Sequence, residues 1–548
     1  MIINLAILQE FIAGEIPEHE ALVWRDRVLT YAELAARSRR LANALLSLGI
    51  GCRVEREHLQ PWESGQDHVA VYLYNCPEFL ETMYGAYKAR ATALNINYRY
   101  KAEELRYLFA DSRARAVVYH ASLAPTLAAV REHLPELRHF IQVADESGEP
   151  LLPGAIDYES LLASARPTLP DLPYTPDDLY VLYTGGTTGM PKGVLWRHAD
   201  VFYNGLGGNL PGFPRLETEE QVRAHIQMGI GGRALVCLPF MHGAGQWSAF
   251  NCFHRGGTVI LPDENRRLDP HGVWRSVEHQ RADQIGITGD AFARPLIEAQ
   301  RERGYDLSCL RVVVSTAAVL SRAVKEELMA LLPGAMLIES IGGSELGMQA
   351  MSTDTDSGQT GIPAYPLRPG TVLLKADRSG VLEPGSDELG WITSTGDLCL
   401  GYLGDPERTR ATFPVIGGVR YAIGGDRGRY LPDGRVLFLG RESSCINTGG
   451  EKVYVEEVER VVKSHQAVYD ALVVGMPSER WGQQVTAVVS LVPGSAAPNT
   501  EDLRVHCAPH LADYKVPKAV VVAAEIVRSP SGKPDYDWAK RHAATVLG

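Results

Sequence analysis

The feature that most limits what this chain can become is a rhythm. Short apolar, β-prone runs alternate with amphipathic helical stretches. Val69–Tyr74 reads as a strand, Phe79–Ala89 as a helix, Ala116–Tyr119 as a strand, Leu123–His133 as a helix and Phe140–Val143 as a strand. The beat returns with strands at Ala234–Leu238, Thr258–Leu261 and Val312–Val314. Strands joined through helices pair in parallel, with the helices laid on the sheet faces, so two α/β lobes are expected before residue 360. Residues 367–440 change texture: Gly, Pro and short runs such as Thr371–Lys375 and Val436–Leu439 predict a small β-rich section. From Arg441 a compact α+β unit is expected, with helices at Glu456–Ser464 and Glu501–Leu511 and strands at Ala471–Val474 and Thr486–Val492. The 548 residues also exceed the roughly 250–300 at which a single core stops growing. The expected α/β fold therefore has a large N-terminal domain, 1–440, and a small C-terminal domain, 441–548.

Composition narrows the function classes. Hydrophobic residues at 45% and charged residues at 22% are ordinary for a globular protein. A net charge of −12 argues against a nucleic-acid groove, which leans on clustered Lys and Arg. The eight cysteines are scattered with no CxxC pair, which disfavours zinc and reads as core thiols of a reduced, cytoplasmic protein. Met1–Leu8 is apolar, but it lacks a basic start and is followed by Glu10 and Glu15, a poor signal peptide. No apolar run reaches the length of about 18 residues that a membrane helix needs. Tyr31–Leu48 predicts an amphipathic helix capped by Thr30 and stopped by Gly49. Small-molecule partners are expected, and a homodimer is left open.

One segment carries specific chemistry: Tyr183-Thr184-Gly185-Gly186-Thr187-Thr188-Gly189-Met190-Pro191-Lys192-Gly193, directly after the apolar run Leu179–Leu182. Glycines let the backbone approach an anion and turn N–H groups toward it. The threonine hydroxyls add donors and Lys192 adds charge, which together suggest a triphosphate cradle. It is not a Walker A loop, since Lys192 follows Pro191 and Gly193 stands where Ser or Thr belongs. It is not a dinucleotide fingerprint either. With Pro191-Lys192-Gly193 attached, the segment resembles the phosphate loop of the adenylate-forming superfamily of acyl-CoA synthetases, luciferases and peptide-synthetase adenylation domains. Further motifs follow in that superfamily's order from Ala21 to Lys533.

The resemblance implies roles. Leu238-Pro239-Phe240-Met241-His242-Gly243 is similar to the segment beside the acyl pocket, with His242 on the route to the carboxylate. Met241 stands where amino-acid-activating domains place an Asp for the substrate ammonium, which disfavours an amino-acid substrate. Ser315–Leu320, including Ala317, occupies the place of an adenine-packing turn but departs from its usual Gly-Gly-Ala-Pro. In Ser340-Ile341-Gly342-Gly343-Ser344-Glu345, Ile341 replaces an aromatic that stacks on adenine. Ser344 would meet the α-phosphate, and Glu345 with Thr184 would hold Mg²⁺. Asp426 and Arg441 would bind the ribose, and Ser443 would serve as the interdomain hinge within 441–444. Ile446–Tyr454, with Gly449, Gly450, Glu451 and Lys452, resembles the loop lining the pantetheine tunnel of coenzyme A. Lys533, ending Arg528–Lys533, would reach both the acid and the α-phosphate. The acyl pocket is expected among His242, Gln246, Trp247, Gly229–Gly232 and Gly286–Phe292, Gly289 included.

The expected activity is ATP-dependent acid–thiol ligation, in which Lys533, Lys192, His242, Glu345 and Mg²⁺ assist adenylation before transfer to coenzyme A. The overall flavour is similar to fatty-acyl-CoA synthetases acting on medium or long chains or on bulky alicyclic and steroid-derived acids. Two alternatives stay open: loading of a carrier-protein thiol, and a nucleotide-binding regulatory protein without catalysis.

Overall fold

The computed structural model describes residues 3–186, 189–316, 318, 320–353, 364–448, 451–478, 480–529 and 532–547. An eight-stranded sheet runs in the order Gly347–Ser352, Met336–Gly343, Val312–Ser315, Gln284–Ile287, Arg233–Leu235, Thr258–Leu261, Glu20–Trp24, Arg27–Thr30. Its interior pairs are parallel and its two edge pairs antiparallel. A second sheet is parallel throughout, in the order Thr92–Asn95, His68–Tyr72, Ala116–His120, His139–Val143, Ile156–Asp157.

The side-chain period of two decides how these sheets pack. Val69 and Val71 enter the core shared with helices Tyr31–Ser47 and Pro77–Lys88. Ala70 and Tyr72 face the opposite way, toward helix Ala102–Ser112. The shared core also takes Leu22, Val259 and Leu261 of the eight-stranded sheet, so it bonds the two lobes. Behind that sheet, Val23, Leu235, Ile260, Ile285 and Val313 pack on helices Pro270–Gln280, Gly289–Arg303 and Arg322–Leu331.

Residues 364–441 supply an antiparallel five-stranded sheet. A 3₁₀ turn at Glu442–Ser444 then leads into the C-terminal unit. There Glu451–Val453, Ile446–Thr448, Gly482–Leu491 and Val468–Ser478 pair antiparallel, Ala519–Val522 joins in parallel, and apolar clusters fill both faces. No described helix is long and apolar enough to cross a membrane.

Three expectations need correction. The helix foreseen at Leu123–His133 is broken into a 3₁₀ turn at Ala121–Leu123, a short helix at Ala124–Ala128 and a 3₁₀ turn at Arg131–His133. Pro125 can only begin a helix, and Pro135 disfavours helical geometry at Leu134. The strand expected at Ala234–Leu238 ends at Leu235, with one further bond from Val236 N to the Ile260 carbonyl. The helix expected to reach Leu511 stops at Cys507. The Tyr31 helix, by contrast, carries its Thr30 cap as a reciprocal capping box with Glu33 and ends before Gly49, whose φ is +75°.

Candidate active site

The phosphate segment is a β-hairpin, Leu179–Gly186 against Gly189–Arg197, with Thr184 facing Lys192 and Gly186 facing Gly189. Gly185 lies in the first strand beside them. Thr187 and Thr188 lie outside the described residues. The hairpin is held by Asn95, whose amide donates to the Tyr183 carbonyl (2.9 Å) and the Met241 carbonyl (2.6 Å) and accepts from the Tyr183 N–H (2.9 Å). One side chain thus bonds the phosphate hairpin to the segment carrying His242. Asn75 does similar work one layer away, donating to Leu238 O (3.0 Å) and accepting from Phe240 N (2.7 Å).

Glu345 sits in the tight turn between Met336–Gly343 and Gly347–Ser352. The turn is gripped from outside. Trp196 Nε1 donates to the Ser344 carbonyl at 2.8 Å, and Asn204 accepts from Met348 N at 3.0 Å and donates to Asp397 O at 2.8 Å. Gly347 has φ +68°, and a Cβ there would fall 1.9 Å from Asn204 Oδ1, so only glycine fits. At Gly342 a Cβ would meet the Gly347 carbonyl at 2.3 Å. Gly343 and Ser344, beside Glu345, are half-buried. The Glu345 carboxylate accepts from Tyr402 OH (3.0 Å), and Lys192 Nζ stands 5.3 Å from the Tyr402 ring centroid. Burial first, then repulsion from Arg408, lowers the Lys192 pKa, against attraction to Glu345.

Asp426 is buried on strand Ala422–Tyr430 opposite Arg441, whose Nε donates to Oδ1 at 3.1 Å. Burial raises the Asp426 pKa, Arg441 opposes this, and repulsion from Glu345 adds to it. Lys533 arrives from the small domain on a folded loop. Ser529 N bonds Lys533 O and Gly532 N bonds Ser529 O, both at 2.8 Å, while Arg528 clasps Asp470 through two bonds of 2.7 and 2.8 Å. Gly532, at φ +72°, packs on Thr288, next to the start of helix Gly289–Arg303. The Lys533 side chain is solvent-accessible, yet protein crowds it. That burial lowers its pKa, Arg441 lowers it further and Glu345 pulls it back.

His242 precedes helix Gly243–Phe253. Burial, then Lys533 and Arg99, hold its pKa down at about 3, so it is neutral at ordinary pH. Its Nε2 is shut off from solvent with no partner among the described residues, as are Thr288 Oγ1 and Ser315 Oγ at the carboxyl ends of neighbouring parallel strands. Buried polar atoms without partners are uncommon, and in an open α/β sheet ligands bind at this end of the strands. A hydroxyl at Thr184 and a carboxylate at Glu345 are hard oxygen donors that suit Mg²⁺ shared with phosphate oxygens.

Some expected residues play other parts. Gln246 is buried, its Oε1 accepting from Tyr180 OH (2.5 Å) and its Nε2 donating to Phe240 O (2.7 Å), so it braces the His242 segment and presents no polar atom to a ligand. Trp247 donates to Tyr180 OH (3.2 Å) and closes on Gly205, where a Cβ would fall 2.8 Å from its ring. Gly289 opens its helix with φ +48°. Gly229–Gly232 is not beside the pocket: it precedes strand Arg233–Leu235 and crosses Gly257 so closely that a Gly231 Cβ would sit 2.4 Å from Gly257 N. His242 lies past the opposite end of that strand. Ala317, Gly449 and Gly450 lie outside the described residues. Glu451 and Lys452 are exposed, with Lys452 ion-paired to Glu442, and Ser443 lies in the linking 3₁₀ turn. A cavity of about 230 Å³ opens beside the Lys533 loop, with Tyr98, Pro239 and Phe292 as apolar walls and Arg99, Arg266 and Arg528 as basic ones.

Residues 10–403 match the AMP-binding enzyme family, and residues 457–533 match the AMP-binding enzyme C-terminal domain. The chain is 46% identical over 534 residues to the medium-chain acyl-CoA ligase Mig of Mycobacterium avium, covering 97% of this chain and 96% of that protein. It is 40% identical to a 3-oxocholest-4-en-26-oate–CoA ligase of Rhodococcus rhodochrous, covering 98% and 96%. Among solved structures, ATP-bound MatB from Rhodopseudomonas palustris superposes with a TM-score of 0.80 over 100% of both chains at 23% identity, a likeness of fold.

Proposed function

The chain belongs to the AMP-binding enzyme family, and on that premise we propose that it joins a hydrophobic monocarboxylic acid to coenzyme A, with ATP cleaved to AMP and pyrophosphate. The acid class follows the relatives, which are named for medium-chain and steroid-derived acids, and the buried Met241 in place of an ammonium-binding acid. The observation that carries the reading is the convergence of Lys533 with Glu345 and His242: Glu345 attracts the Lys533 ammonium, and Lys533 helps hold the His242 pKa down.

In the first step a carboxylate oxygen of the acid bonds to the α-phosphorus of ATP and the bond to pyrophosphate breaks. Both reactants are anions, and two unit charges at 4 Å repel by about 4 kcal/mol at an effective dielectric of 20. Lys533 and Lys192 offset that repulsion. Asp426 accepts from the ribose hydroxyls and Arg441 fixes its orientation. Thr184 and Glu345 would hold Mg²⁺, which neutralises phosphate charge when bound. His242, being neutral, positions the acyl group through Nε2 without exchanging a proton. Catalysis is then positioning and preorganised charge.

In the second step the thiol sulfur bonds to the acyl carbon, and the bond to AMP breaks. The cavity with Arg99, Arg266 and Arg528 at its walls suits the approach of a phosphorylated thiol. Lys533 faces the cleft while Lys452 stands exposed beside Glu442, so one orientation of the small domain serves only one of them. The two steps use two orientations, exchanged about 441–444. The eight cysteines are unpaired, which supports a reducing, cytoplasmic setting.

The test is Mg²⁺-dependent pyrophosphate release over a panel of medium-chain, long-chain and steroid-derived acids, with and without coenzyme A. Acid-dependent release with a thioester product is expected. Release without thioester would redirect the second step to a carrier-protein thiol, and no release with any acid would overturn the reading.

A further inference from the structure

One half-buried glutamate stands at the junction of the two domains without a part in the chemistry above. Glu456 lies in the first turn of helix Val455–Lys463 in the small domain. Its Oε1 is 3.3 Å from Ser444 Oγ and 3.5 Å from the Arg441 backbone nitrogen. Gly440, at φ +129°, approaches so closely that a Cβ there would sit 2.2 Å from Oε2. That Oε2 is shut off from solvent and has no hydrogen-bond partner among the described residues. The titratable groups that face Glu456 are Asp426 from the large domain, Arg441 and Cys445 from the linking segment, Glu459 and Arg460 from its own helix, and Tyr536 from the C-terminal helix. Arg441 is already engaged with Asp426.

We propose that Glu456 is a proton-dependent latch, a positioning residue that holds the small domain in the orientation aiming Lys533 into the cleft, and that loss of its proton favours the orientation used for thioester formation. This rests on the two-step reading above. Rotation about 441–444 carries Glu456 away from Gly440, Arg441 and Asp426. In the present orientation a neutral carboxyl fits among acidic neighbours, whereas a carboxylate there is desolvated and repelled. Burial first, then Glu459, pushes its pKa up to about 7. Once rotated into water it returns toward the usual carboxylate value. A raised value in one orientation means that this orientation is favoured most at low pH. The preference weakens as pH rises from the ordinary value through about 7, then levels off. The attacking thiolate also becomes more abundant with pH, so both effects move the enzyme toward its second step.

The test is a fluorophore pair, one dye on each domain of the full chain, read without ligands from pH 5 to 8.5. Each protein is also assayed for pyrophosphate exchange and for thioester formation from preformed acyl-adenylate. In the wild type the ratio of the two orientations is expected to change by at least about tenfold, since one unit of pKa difference is a tenfold bias. Glu456→Gln keeps the Lys533-facing orientation at every pH, retains exchange and slows thioester formation. Gly440→Ala disturbs the same contact from the large domain and favours the rotated orientation at every pH. A pH-driven shift in Glu456→Gln as large as in wild type overturns the latch while leaving the ligase intact. Failure of the wild type to form any thioester overturns the two-step reading instead.

Discussion

At Lys533 the chain presents an ammonium that burial and Arg441 have already weakened. Its loss leaves the repulsion between acid and α-phosphate unscreened on one side. Lys533→Ala is expected to lower acid-dependent pyrophosphate release by about a thousandfold, given tenfold per 1.36 kcal/mol. Thioester formation from supplied acyl-adenylate should stay within a few fold of wild type. Paired single-turnover assays check both. The sequence puts Lys533, Glu345, Asp426 and Lys192 forward as candidates because charged residues in Gly-rich turns follow one another in a set order. Tyr402, Asn95 and Asn204 are not put forward. Their work is hydrogen bonding across the fold, as when Asn95 reaches Met241 from 146 positions away, and nothing local marks it. Gly401-Tyr402 does precede a helix opening at Pro406, the one trace that would have flagged the tyrosine. Gln246 misled because a polar residue one turn after His242 looks like pocket lining until Tyr180 and Phe240 take up its amide.

Elements place such residues, and the first helix shows how. Leu5–Glu15 buries Leu5, Leu8 and Ile12, and its Glu10 ion-pairs with Arg39 and with the fully buried Lys88. Glu10→Gln strands that ammonium, and breaking a buried pair costs about 3–5 kcal/mol. A loss of that order in urea-derived stability is expected. The same helix is met by His198, whose Nδ1 accepts from Leu5 N at 3.3 Å and whose pKa burial holds down at about 3. A depressed histidine value supports the fold fully above the unfolded value near 6.5, and this support is lost as pH falls toward 3. His198→Asn should therefore flatten the decline of the thermal midpoint between pH 6.5 and 4. The apolar pattern disclosed most strands and the long capped helix. It failed at Leu123–His133, where two prolines outrank the pattern, and it could not show that the phosphate segment is a hairpin, since Gly-rich turns look alike in any setting.

Over the whole molecule, the change of texture near residues 360–440 was visible because strand-forming residues replace helical spacing. The way the two bodies meet was not, because it depends on contacts such as Tyr469 OH to Glu298 at 3.3 Å and Arg294 over the Tyr469 ring at 4.8 Å. A cleavable bismaleimide tether between cysteines at 298 and 469 is expected to preserve one round of acid-dependent pyrophosphate release. It should block thioester formation until the tether is cut, as product analysis before and after cleavage would report. The Arg528–Asp470 clasp has one more consequence. It ties the lysine-bearing loop to the edge strand Val468–Ser478 of its own domain, so the ammonium cannot retreat by itself and must travel with a body of about a hundred residues, near the usual size of a small domain. Its departure is then a hydrodynamic event opposed by solvent friction. Where rotation limits turnover, kcat should fall as sucrose thickens the medium, while pyrophosphate exchange, which needs no rotation, stays level.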